Sequence, residues 1–237
     1  MTEETTEEIT EKAAGSSGGA GPTPSDEGAA EEFWEARYRA GERLFSGEPN
    51  VALRTEAADL PPGRALDLGC GEGADAIWLA QRGWRVTAVD VSPTALLRGA
   101  RHARAAGVDD RVAWHRHDLA RSFPTGTFDL VSAHFLHSPV ELPRGRILRT
   151  AAAAVAPGGT LLIVGHAGWP SWETAPDPHV VFPTPDDVLA DLALSPREWE
   201  VRVATTYDRQ LTGPDGRPAS RRDNTVRMWR RDTGTGG

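Results

Sequence analysis

Ala65-Leu66-Asp67-Leu68-Gly69-Cys70-Gly71-Glu72-Gly73-Ala74-Asp75-Ala76-Ile77-Trp78-Leu79-Ala80 is the stretch around which the chain is organised. It reads as a strand, a tight loop with three alternating glycines, and the start of a helix. Glycines there let the backbone take left-handed angles and let a ligand approach without meeting a Cβ. A glycine-rich turn from strand to helix is where doubly wound sheets hold nucleotide-like ligands.

The charges narrow the ligand. A dinucleotide pyrophosphate is an anion seated on a helix N-terminus, and an acid inside the loop repels it. Asp67 precedes the first glycine and Glu72 lies between the second and third. These carboxylates suit a ligand carrying an ammonium and a sulfonium. As a dinucleotide fingerprint, G-x-G-x-x-G/A, the loop fits only with Ala74 in the third place.

Outward from the loop, Ala74 to Arg82 reads as a helix closed by Gly83, and Trp84 to Asp90 as the second strand. Asp90 ends that strand 19 residues after Gly71, near the spacing of about 20 at which an acid reaches a ribose hydroxyl pair. A carboxylate can accept both of those hydrogen bonds, and Val91 is placed to pack on an adenine face. Ser92-Pro93 opens a helix as N-cap and first-turn proline, running to about Ala106. Val112 to His115 is a third strand, followed by Asp118-Leu119. Phe128 to Ala133 is a fourth, whose carboxyl end, His134-Phe135-Leu136-His137, faces the crevice where open α/β sheets bind substrates.

Asp67-Leu68-Gly69-Cys70-Gly71-Glu72-Gly73 resembles the first motif of class I S-adenosylmethionine-dependent methyltransferases. The leader, Trp34 with Arg37-Tyr38 and then Ser46-Gly47-Glu48-Pro49-Asn50, is similar to that of the small-molecule members, the tellurite-resistance and thiopurine-methyltransferase-like group. The resemblance implies a cofactor site of Asp67, Gly69, Cys70, Gly71, Asp90, Val91, Asp118, Leu119 and His134, covered by Trp34 and Tyr38, with S-adenosyl-L-methionine as cofactor. It implies that Asp118 takes the adenine amino hydrogen and that the acceptor is a small molecule. DNA amino-methyltransferases of the class carry a Pro-Pro-aromatic run after the fourth strand, which this chain lacks. His137 is the candidate general base, its pKa lying near working pH; an ionised acceptor needs no base. Cys70 reads as a small filler rather than a nucleophile, and the histidines at 115, 117, 134 and 137 lack metal-ligand spacing. A non-catalytic cofactor-binding module and an NAD(P)-dependent oxidoreductase are the alternatives.

Further on, Arg144 to Val155 reads as a helix stopped by Pro157-Gly158-Gly159, and Thr160 to Gly165 as a fifth strand. His166 to Pro183 reads as a loop with Trp169 and Trp172, and Thr184 as the cap of a helix to about Leu194. Trp199 to Arg209 and Asn224 to Arg230 read as a hairpin. The fold class is therefore α/β: a Rossmann-like doubly wound sheet, mostly parallel with an antiparallel C-terminal hairpin strand, the class I methyltransferase layout.

Composition fits one such domain. Of 237 residues, Met1 to Glu32 hold nine acids and one base, which is the whole net charge of −8, so the body from Phe33 is neutral. The expected organisation is a disordered acidic tail over 1–30, a helical cap over 31–60, a methyltransferase domain over 61–231 and a short tail over 232–237. A neutral body argues against a nucleic-acid partner. No apolar run reaches the ~20 residues of a membrane span, and a single cysteine suits a reducing cytoplasm. Oligomeric state is not legible.

Overall fold

The computed structural model describes residues 28–232, so the expectation of disordered tails falls almost wholly outside the described residues. Seven strands form one sheet in the order β3-β2-β1-β4-β5-β7-β6. The strands are β1 (Arg64–Leu68), β2 (Arg85–Asp90), β3 (Val112–Arg116), β4 (Phe128–His134), β5 (Val155–Pro170), β6 (Trp199–Thr212) and β7 (Pro218–Arg230). The first five run parallel, and β7 is antiparallel to both β5 and β6. The order reverses between β1 and β4, which opens a crevice at their carboxyl ends.

Among the described residues six α-helices accompany the sheet: α1 (Ala29–Arg39), α2 (Val51–Glu56), α3 (Ala74–Gln81), α4 (Pro93–Ala105), α5 (Arg144–Ala153) and α6 (Pro185–Leu192). The period-2 alternation of the strands sends residues to two cores. Leu66, Leu68, Val131, Ala133, Leu161 and Ile163 pack with Leu148 of α5 and Val188 of α6. Ala65, Val86, Ala88, Leu130 and Leu162 pack with Leu79 of α3, Ala103 of α4 and Leu53 of α2. Both helix caps read from sequence are present: Ser92 Oγ accepts from Ala95 N at 3.1 Å, and Thr184 forms a reciprocal capping box with Asp187.

Two readings are corrected. Pro157-Gly158-Gly159 does not separate helix from strand: α5 ends at Ala153 and β5 starts at Val155, with a register irregularity between Phe128 and Leu130 accommodating the run. The supposed loop after Gly165 is partly strand, since β5 continues to Pro170 opposite Arg221 of β7. The hairpin is correspondingly longer, closed by a turn in which Gly213 N bonds Arg217 O at 2.8 Å.

Candidate functional site

Asp67 is the last but one residue of β1, buried, with Ser132 Oγ of β4 3.3 Å from Oδ1. Its Oδ2 is buried without a hydrogen-bond partner. Burial, reinforced by the like charge of Asp75, raises its pKa to about 7. An orphaned carboxylate oxygen that is reluctant to ionise is what a missing cation would satisfy.

Beyond it the chain turns through Gly69, Gly71 and Gly73, all at positive φ. Gly69 N and Cys70 N both donate to Val89 O at 2.9 Å, holding the loop on β2. Asp90, at the end of β2, accepts from Gly71 N and from Ser92 N, each at 2.9 Å. The expected ribose acceptor is therefore fixed against the loop, its pKa raised by burial that outweighs these hydrogen bonds. Burial and the neighbouring Asp90 and Asp67 also raise the Cys70 thiol, consistent with a filler.

The leader lies across this loop. A Cβ placed on Gly71 would come within 2.9 Å of Tyr38 Oη, so the buried tyrosine sits against the glycine. Trp34 stands between Phe33 and Tyr38 and donates from Nε1 to Ser138 Oγ at 3.3 Å, joining α1 to the segment after β4. Glu35 accepts from Ser92 Oγ (2.6 Å), Thr94 N (3.1 Å) and Thr94 Oγ1 (2.6 Å) at the start of α4. Burial opposes its ionisation, but these hydrogen bonds prevail and hold the carboxyl near 2.

Glu72, read as a ligand charge, is spent on structure: it pairs with Arg98 at 2.9 Å and accepts from Leu44 N at 3.2 Å. Asp75 has the role that the sequence did not disclose. Its carboxylate takes Asn50 N and Asn50 Nδ2, both at 2.7 Å, and His134 Nδ1 at 2.6 Å. His134 therefore belongs to a buried acid cluster at the carboxyl end of β4, and its Nε2 has no partner. Burial would lower the His134 pKa, but Asp75 and its hydrogen bond raise it; the same contact holds Asp75 low against its own burial.

Asp118 and Leu119 stand beside Asp90, since His117 N donates to Asp90 O at 3.0 Å. Asp118 caps its own turn through Ala120 N at 3.0 Å and pairs with Arg121 at 3.3 Å, and Leu119 packs on the core. Val91 is half-buried between Asp90 and Ser92. His137 accepts at its Nε2 from His166 N at 3.3 Å. Burial, with His166 and Arg144 beside it, lowers its pKa to about 3. Among the described residues no group of three or more His, Cys, Asp or Glu is arranged to hold a metal, and no helix is long and apolar enough to cross a membrane.

Residues 65–159 match the family described as methyltransferase domain. With the crevice at the β1/β4 switch and the acidic glycine loop, that match makes this chain similar to the class I S-adenosylmethionine-dependent methyltransferases. Among curated relatives, 27-O-demethylrifamycin SV methyltransferase of Amycolatopsis mediterranei is 35% identical over 123 residues, 49% of this chain and 44% of the relative. Ribosomal RNA small subunit methyltransferase C of Chromohalobacter salexigens is 35% identical over 126 residues, 51% of this chain and 37% of the relative. The chain thus spans less than half the length of these relatives. A solved structure described under conversion of a disulfide bond into a thioacetal group during echinomycin biosynthesis is 26% identical, with TM-score 0.70, covering 86% of this chain and 94% of its own. TehB from Haemophilus influenzae shares the fold at 17% identity and TM-score 0.59, over 85% of this chain and 67% of its own.

Proposed function

We propose that the protein transfers a methyl group from S-adenosylmethionine to a small-molecule acceptor by in-line displacement. The observation that carries this reading is the unpartnered, buried Oδ2 of Asp67 beneath a left-handed glycine loop that Asp90 braces. When bound, the cofactor supplies an already activated methyl group on a sulfonium. The chain's task is to hold two reactants aligned and to exclude water. Asp67 would meet the cofactor's cationic end, Asp90 its ribose hydroxyls, Val91 and Leu119 its adenine faces, and Asp118 the adenine amino group. Gly69, Cys70 and Gly71 would line its approach, while Trp34 and Tyr38 would cover it from the leader.

A small acceptor is supported by the leader strapped across the crevice and by a body from Phe33 onward that carries no net charge, where a polynucleotide would want a basic face. We place the protein in the cytoplasm on its single half-buried cysteine. The test has two parts. Calorimetry with S-adenosylhomocysteine and with NAD should give heat with the first alone. Methyl transfer assayed over thiols, phenols, amines, metalloid oxyanions and ribosomal RNA should find turnover among the small molecules. Binding of NAD in place of S-adenosylhomocysteine would overturn the reading.

A further inference from the structure

We propose that Arg144 and Asn224, meeting over Gly165, form a subsite for the methyl acceptor that takes an amide edge: Arg144 donates to its carbonyl oxygen and its N–H donates to Asn224. The methyl acceptor is then a carboxamide, lactam or peptide-like molecule. This deepens the methyl-transfer reading and rests on it.

Two buried polar atoms here have no use in the fold. Asn224 of β7 is fully buried, and its Nδ2 donates to Pro183 O at 2.7 Å. That bond fixes the amide, and Oδ1 is left with no hydrogen-bond partner. Arg144, the first residue of α5, has a buried Nε without a partner, and among the described residues its guanidinium makes no hydrogen bond or ion pair. Burial lowers its pKa, opposed by the charge of Asp191 on α6. Native folds leave few such atoms unsatisfied, because each forfeits its hydration for nothing.

Both groups converge on one point. Gly165 of β5 pairs with Asn224 in the sheet, and a Cβ on it would come 3.2 Å from Asn224 Oδ1, 3.4 Å from His137 Nε2 and 3.6 Å from Arg144 Nη2. A side chain at 165 would fill this cradle, and glycine keeps one out. His137 walls the cradle without serving it, since its Nε2 lone pair accepts from His166 N at 3.3 Å.

The cradle lies at the carboxyl rim, beyond which open α/β sheets bind their ligands. His134 pairs with Val164 across β4 and β5, and Gly165 is the next residue. The segment after β4 joins the cradle to the cofactor loop. Leu136 Cδ1 is 3.0 Å from where a Cβ on Gly69 would stand, and His137, the next residue, faces Gly165. Consecutive residues thus touch the two sites, and consecutive Cα atoms are about 3.8 Å apart.

The pattern of donors and lone pairs selects the ligand. A carboxylate would satisfy Arg144 but set its own lone pairs against Asn224 Oδ1, and an ammonium would satisfy Asn224 but meet the guanidinium charge. An edge with a carbonyl oxygen beside an N–H answers both, and an amide holds that pair in one plane. A single water offers the same pair, and the experiment separates the two.

The whole chain is saturated with S-adenosylhomocysteine and titrated with benzamide, with benzoate and N,N-dimethylbenzamide as controls that lack the N–H. Calorimetry should show benzamide binding with a Kd of about a millimolar, about tenfold or more tighter than either control. Gly165→Ala puts a methyl group in the cradle, and Arg144→Met keeps the stem and deletes the donors. Each should weaken benzamide about tenfold or more while S-adenosylhomocysteine affinity stays within about twofold. Should a variant lose S-adenosylhomocysteine affinity as well, the ranking of the probes in the unmodified protein decides alone. Absence of benzamide heat up to about 20 mM, a control that binds as well, or displacement of S-adenosylhomocysteine by benzamide would each overturn the subsite. So would undiminished binding in either variant, the result expected if a bridging water alone serves the two side chains. Absence of S-adenosylhomocysteine binding in the unmodified protein would instead remove the methyl-transfer reading, and the same probes ranked on the unloaded chain would still judge the cradle.

Discussion

Cofactor binding should release a proton from Asp67. In the free protein burial and the neighbouring Asp75 raise this acid to about 7, so near neutral pH it is about half protonated. Asp75, clamped by His134 and Asn50, stays ionised and keeps the pressure on. The sign follows from linkage. An acid raised on folding contributes stability that is present below its unfolded value of 3.8 and is lost as pH rises through about 7. A ligand bringing positive charge to the orphaned Oδ2 reverses that pressure and pulls the pKa back down. The affinity for S-adenosylhomocysteine should therefore weaken about tenfold between about pH 8 and about pH 6, with release of about half a proton near pH 7. Calorimetry in two buffers of different ionisation enthalpy measures both quantities. Asp67→Asn should bind more weakly throughout and release no proton. An affinity flat across that range, or the same proton release from the variant, would refute the account of Asp67 as the cation's partner.

Other perturbations should read out the surrounding structure. Asp75→Ala leaves His134 and both Asn50 donors without their acceptor and should cost about 3–5 kcal/mol in urea unfolding; in the unmodified protein this contribution should fade as pH rises through the elevated pKa of His134 or falls through the depressed pKa of Asp75. Gly73→Ala puts a methyl group 2.3 Å from the Trp114 ring at a φ of 84° and should cost about 2–4 kcal/mol by the same measurement. Asp90→Ala removes the acceptor shared by Gly71 N and Ser92 N and should weaken S-adenosylhomocysteine binding by about 1–3 kcal/mol in calorimetry.

Local chemistry was the legible part of this chain. Gly69, Gly71 and Gly73 announce a left-handed loop because few other residues tolerate those angles. Ser92-Pro93 and Thr184-Pro185 announce helix starts because a side-chain oxygen and a ring are needed there. The seat of Asp90 at the end of β2, against the glycine loop, was legible because strand and loop have a fixed reach. The partnership of Asp75 was not: Asn50 and His134 are 25 and 59 residues away, and Asp75 by itself is an ordinary first-turn acid. Pro157-Gly158-Gly159 misled because these residues usually stop an element, whereas here a bulged strand absorbs them. His137 was a reasonable base from its position beside the crevice. Only its burial in the folded chain, with the ring of His166 and the guanidinium of Arg144 brought in from β5 and α5, shows how weakly it holds a proton.

The place of β7 in the sheet bears on how the chain is made. β5 takes its neighbour from the last described strand, while β6, synthesised before β7, lies one position further out. A growing chain therefore presents the rim of β5 and the whole of β6 bare until residues 218–230 emerge and wedge between them. Shortened forms ending at the turn near Gly213 should retain an adhesive ribbon edge and clump, so a ribosome stalled there would yield a product in need of chaperone cover.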